Sequence, residues 1–176
     1  MFQGGVGYRL LLLRFLLCLG GVVGRSESVC LGFSYFQTSF LMKTKHFLES
    51  ADVKAIAAAA EAEALKNNWP VTIAIVDDGG HLLNLQRLDG AAPISSHIAP
   101  AKAHTAALGR RESKIYEDVI NGGRTSFLSA PEIKGMLEGG VPIMKDGQCI
   151  GAVGVSGVKS NEDAQIAKAG IAAIGL

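Results

Sequence analysis

Two turn signals constrain this chain more than any other feature. In "VTIAIVDDGGHLLNLQRLDG" a β-branched run meets the cluster Asp77-Asp78-Gly79-Gly80 and continues into an alternating run. In "VPIMKDGQCIGAVGVSG" the cluster Lys145-Asp146-Gly147 separates a second pair of strand-like runs. Such short turns join neighbouring antiparallel strands. A doubly wound parallel sheet needs crossovers of about a dozen residues or more and is excluded for these runs. Strict alternation in the first hairpin sets Leu83, Leu85 and Arg87 on one face of their strand and Leu82, Asn84 and Gln86 on the other.

Helical signals surround the hairpins. "SADVKAIAAAAEAEALKNN" offers Ser50 or Asp52 as an N-cap and ends before Trp69-Pro70. Its apolar stripe is Val53, Ile56, Ala57, Ala60, Ala64 and Leu65, mostly small, which suits close packing on a sheet. "AAPISSHIAPAKAHTAALGRRES" has Ser95 or Ser96 as cap and Pro100, which is acceptable in a first turn. A short helix is expected over 113–120, followed by a loop at Asn121-Gly122-Gly123; the state of "TSFLSAPEIKGMLEGG" is left open. In "SNEDAQIAKAGIAAI" Ser160 and Asp163 form an S-x-x-D capping box. The fold class is therefore α/β of the α+β type, an antiparallel sheet packed with helices.

Composition divides the 176 residues at Met42. Residues 1–41 hold one acidic residue, Glu27, and an apolar run over 10–23 that Arg14 interrupts. The run has the length of a signal-peptide core but lacks an A-x-A cleavage pattern, and it is too short for a confident span of about 20 residues. Residues 1–41 are expected to be a leader, disordered or signal-like, or the product of a start upstream of the real one at Met42. Residues 42–176 are the globular domain. Stable membrane insertion is not expected.

Charge and cysteines exclude several function classes. A formal net charge of +1 with scattered basic residues gives no footprint for nucleic acid. Cys18, Cys30 and Cys149 make an odd set without ligand spacing, which argues against a disulfide framework or a zinc site and fits a cytoplasmic location. Export is the alternative if the leader is genuine.

The glycines of "IGAVGVSG" run G-x-x-G-x-x-G and match neither the Walker nor the dinucleotide template. Strand glycines mark close backbone approach or a ligand; Ser156 and Gly157, just before the last helix, are the ligand candidates here. His97 and His104 share a helix face but lie roughly 10 Å apart along its axis, so one metal ion cannot take both as adjacent ligands. No metal site is expected. Haem is less demanding, since one axial side chain in an apolar slot suffices, and the absence of C-x-x-C-H excludes covalent attachment. Arg87 and Asp89, two apart, form an ion pair or line a pocket; Lys102 and Thr105, three apart on a helix, meet on one side and suit a carboxylate.

The segments "VDDGGHLLNLQRLDGA", "APAKAHTAALGR", "GGVPIMKDGQCIGAVGVSG" and "EDAQIAKAGIAAI" resemble, in order, the GlcG/HbpS-like family, which also forms the C-terminal part of PduO-type proteins. The resemblance implies a profilin-like fold, homo-oligomeric assembly, and binding of haem or a related tetrapyrrole. Family-like positions are Arg87, Asp89, Lys102, Thr105, Gly139, Gly140, Gly154, Ser156 and Gly157; His97 stands where the family usually has an aspartate. The expected function is non-covalent haem binding or sensing, with Arg87, Asp89, His97, Lys102, His104, Thr105, Ser156 and Gly157 as candidate contacts. The alternatives are an enzyme or accessory protein acting on a small hydroxy acid or diol, with Arg87 or Lys102 holding the carboxylate and Asp89 as base, and a purely structural oligomer.

Overall fold

The computed structural model describes residues 43–176; the expectations for the leader fall outside them. Both hairpins form. β1 (Thr72–Asp77) pairs with β2 (Leu82–Arg87), and β3 (Gly140–Lys145) pairs with β4 (Gln148–Ser156). Asp146 and Gly147 both have positive φ, as a two-residue hairpin loop of the primed kind demands. β1 also pairs antiparallel with β4, giving one sheet in the order β2-β1-β4-β3.

Four helices complete the fold: α1 (Ser50–Lys66), α2 (Ser95–Gly109), α3 (Lys114–Asn121) and α4 (Ser160–Ala172). The open segment after α3 holds a 3-10 turn over Thr125–Ser129 and is otherwise irregular up to β3. α1 and α4 cover one sheet face, where Val53, Ile56, Ile73, Ile75, Ile143, Val153, Val155 and Ile166 form the main core. α2 covers the other face through Ala99, Ala103, Ala106 and Ala107 against Ala74, Val76 and Ala152. Leu65, expected in the α1 stripe, is 61% exposed, because it lies about 100° round the helix from Ala64 and borders a surface cleft instead.

Several helix starts differ from expectation by one residue. The Glu49 N–H donates to Asp52 Oδ2 at 2.9 Å, so α1 is capped at Glu49, with Ser50 already helical. Ser95 is likewise inside α2, and its hydroxyl donates to the Ala92 carbonyl at 2.6 Å. Pro100 sits inside α2 rather than in its first turn; the N–H it lacks would have reached the Ser96 carbonyl, a loss that packing on the sheet offsets. In α4 the box is shifted: the Lys159 N–H donates to Glu162 Oε2 at 3.2 Å, while Asp163 turns into the core.

The register of β2 overturns the alternation expected there. Ala74 faces Leu85 and Ile75 faces Asn84, but Val76 faces Leu82, so Leu83 is a bulge residue. Directly paired residues of an antiparallel ladder share a face, and one extra residue moves its neighbours beyond the bulge to the other side. Leu82 therefore joins Leu85 and Arg87 on the face that carries α2, with Ala74 and Val76.

Candidate functional site

Lys102 is not a solvent-facing or ligand-facing ammonium. Its side chain is 4% exposed, and Nζ donates to Asp163 Oδ2 at 2.7 Å and to the Val155 carbonyl at 3.0 Å. The second Asp163 oxygen accepts from the Val158 N–H at 3.2 Å. Burial pushes the Asp163 carboxyl up, and it outweighs the Lys102 hydrogen bond and charge that hold it down. The space for this pair exists because position 139 is glycine: a methyl there would lie 2.8 Å from Lys102 Nζ and 2.9 Å from Asp163 Cβ. Thr105 and Lys102 direct their hydrogen bonds to different partners. Thr105 is fully buried, and its Oγ1 accepts from the Gly135 N–H at 3.1 Å, fixing the irregular segment against α2.

Arg87 and Asp89 are also separated. β2 ends at Arg87, so the alternation rule no longer governs Asp89. Arg87 pairs with Thr72 on the α2 side, while Asp89 lines a cleft with Glu61, Leu65, Trp69 and Leu88 beside α1. No ion pair joins them among the described residues. Ser156 pairs with Thr72 on β1 and is buried. At Gly157 a methyl would lie 2.7 Å from Val71 Cα, so close backbone approach explains that glycine. Cys149 is half-buried, and burial pushes its thiol up, away from a reactive thiolate.

His104 is different. It lies half-buried on α2 in a cleft of about 310 Å³ with Val76, Leu82, Pro100, Ala101, Glu132 and Lys134. Four of these walls are apolar, and Leu82 reaches them because of the β2 bulge. His104 Nδ1 is 3.1 Å from the Gly80 carbonyl oxygen. A carbonyl only accepts, so this bond places the proton on Nδ1 and leaves Nε2 of the neutral ring bare, the form that ligates a metal. His97, exposed near the start of the same helix, is outside this cleft. No cluster of three or more metal-ligating side chains occurs among the described residues. No helix among them is long and apolar enough to cross a membrane.

The turn that presents Gly80 is built by Asp77. Its Oδ1 accepts from the Gly79 N–H at 2.9 Å and the His81 N–H at 2.8 Å, and His81 Nδ1 lies 3.1 Å from both carboxylate oxygens. Burial raises this carboxyl, but the bonds from His81 and Gly79 together outweigh it and hold it below the ordinary aspartate value. Sequence reasoning named His104 and the turn separately. Their contact, the pairing of Lys102 with Asp163, which the sequence pattern assigns to a helix cap, and the part of Glu132 and Lys134 were not legible, because partners 24 to 61 residues apart leave no local spacing signal.

Comparison with known proteins agrees with this architecture. Residues 48–172 match the family described as haem degrading protein HbpS-like. The chain is 59% identical over 115 residues to protein GlcG of Escherichia coli K12, covering 65% of this chain and 85% of that one. Among solved structures, the PduOC:heme complex has a TM-score of 0.67 at 30% identity and covers 73% of this chain and 95% of its own. A double mutant of HbpS from Streptomyces reticuli has a TM-score of 0.69 at 30% identity, covering 77% and 92%. With the hairpin pair, the α2 face and the four matching segments all accounted for, this chain belongs to the HbpS-like family.

Proposed function

We propose that this protein binds haem non-covalently in the cleft between β2 and α2, where Nε2 of His104 would be the protein nitrogen available to its iron. The observation that carries this is the Nδ1 contact to Gly80, which leaves Nε2 without that proton beside a cleft walled by four apolar side chains together with Glu132 and Lys134. Haem held there would supply an iron centre whose reactivity depends on the residue that ligates it and on the polarity around it. Val76, Leu82, Pro100 and Ala101 would give a bound tetrapyrrole apolar contacts, and Lys134 of the same cleft would offer a cation to a carboxylate of the ligand. Family membership and the haem complex of a relative support the same ligand class.

Titration of the purified protein with hemin is expected to give a saturable Soret shift at micromolar concentration. His104→Ala should weaken it by more than the roughly tenfold that losing a partner of a ligating histidine costs. His97→Ala should leave it unchanged. A wild-type protein without a saturable shift would sink the proposal.

The hydroxy-acid reading needs Arg87 or Lys102 beside Asp89. Lys102 is committed to Asp163, and Asp89 faces a different cleft. Self-association remains part of the proposed function. β2 is an edge strand with Leu82, Leu83 and Leu85 all exposed, the surface on which a second copy would pack. Light scattering is expected to give a mass that is a multiple of the 18.4 kDa chain, and Leu85→Lys should lower it.

A further inference from the structure

We infer that Asp77 is the positioning residue for the His104 imidazole, acting through the turn that carries the Gly80 carbonyl. The proposal rests on the haem reading only for what the imidazole then binds. Gly80 lies between two residues whose amides, Gly79 N–H and His81 N–H, both donate to Asp77 Oδ1. Its own N–H donates to the Asp77 carbonyl at 3.0 Å, and the Asp77 N–H donates to the His81 carbonyl at 2.9 Å. The peptide groups on either side of Gly80 are thus fixed by one aspartate, and with them the direction of the Gly80 carbonyl. That carbonyl is the partner of His104 Nδ1.

Glycine is required for two reasons. Its φ is +81°, a conformation that side chains disfavour, and a methyl there would overlap the His104 ring. The neighbouring charges do not compete for the same amides: Asp78 pairs with Lys45 at 2.5 Å, and the His81 ring caps the Asp77 carboxylate from outside. Asp77 therefore reaches the cleft through backbone alone, without touching it. Its effect is to select which ring nitrogen of His104 carries the proton.

The test uses haem-free protein with ring-15N histidine, observed by long-range proton–nitrogen correlation near pH 8.5, where imidazoles are about fully neutral. His104→Gln assigns the signal. Wild-type His104 is expected to be Nδ1-protonated. Asp77→Ala should convert it to a mixture of tautomers and weaken hemin binding about tenfold, the scale of losing a group that orients a ligating histidine. Asp77→Asn should keep the wild-type tautomer, because its amide oxygen still accepts from both amides. Where Asp77→Ala does not fold by circular dichroism, Asp77→Leu, which also lacks an acceptor, is read the same way. An unchanged tautomer in the alanine or leucine variant, or an asparagine variant as perturbed as alanine, would overturn the inference. If the tautomers behave as stated while the wild-type protein binds no hemin, the haem proposal fails and the positioning role stands.

Discussion

Lys102→Ala is expected to lower unfolding stability by about 3–5 kcal/mol, the range for stripping one partner from a buried ion pair. The loss comes mainly from what stays behind. Asp163 is 2% exposed, and without the ammonium its charge has the Val158 amide as its remaining donor. The pair also joins α2 to the start of α4 and to β4, so three elements loosen together. Urea titration should show the midpoint fall, with a thermal midpoint lower by on the order of 10 °C. The double variant Lys102→Met with Asp163→Leu should recover most of the loss, since apolar residues of similar volume often replace a buried pair at little cost. A single variant within about 1 kcal/mol of wild type would contradict this account, because that is the range of an exposed pair.

Lys102 also marks how far sequence can be read. Its spacing on α2 was legible, and so was the helix. A lysine amid alanines reads as solvated, and nothing local points to a carboxylate 61 residues later. The two hairpins and their antiparallel order were legible because turn residues act within four or five positions. The β2 bulge was not: strict alternation assigns Leu82 to the wrong face, and only pairing with β1 shows that Leu83 is the extra residue. That single shift puts Leu82 in the cleft with His104. Helix caps erred by one residue because Glu49, a weak cap by composition, outcompeted Ser50 through its partner Asp52. Among the candidate contacts, only His104 lines the cleft between β2 and α2.

The glycines of "IGAVGVSG" set how closely α2 approaches the sheet. Gly154 lies on β4 opposite Ala74 of β1 and Gly140 of β3, on the face that α2 covers. A methyl at Gly154 would overlap the Ala99 carbonyl and crowd the Ala103 amide; one at Gly140 would overlap the Lys102 carbonyl. The two glycines make a trough in which the α2 backbone rests directly on the sheet. Gly154→Val is expected to destabilise by about 3 kcal/mol, at the upper end for overpacking, because backbone lies on both sides and neither can turn aside as a side chain would. Valine is the better strand former, so propensity alone predicts the opposite sign. Gly154→Ala should show a smaller loss in the same direction. Because Ala103 precedes His104, a lifted α2 also moves the imidazole away from Gly80. Hemin affinity should then fall in both variants in the same order as stability. A valine variant as stable as wild type would mean that α2 does not rest on β4, and the cleft geometry would have to be redrawn.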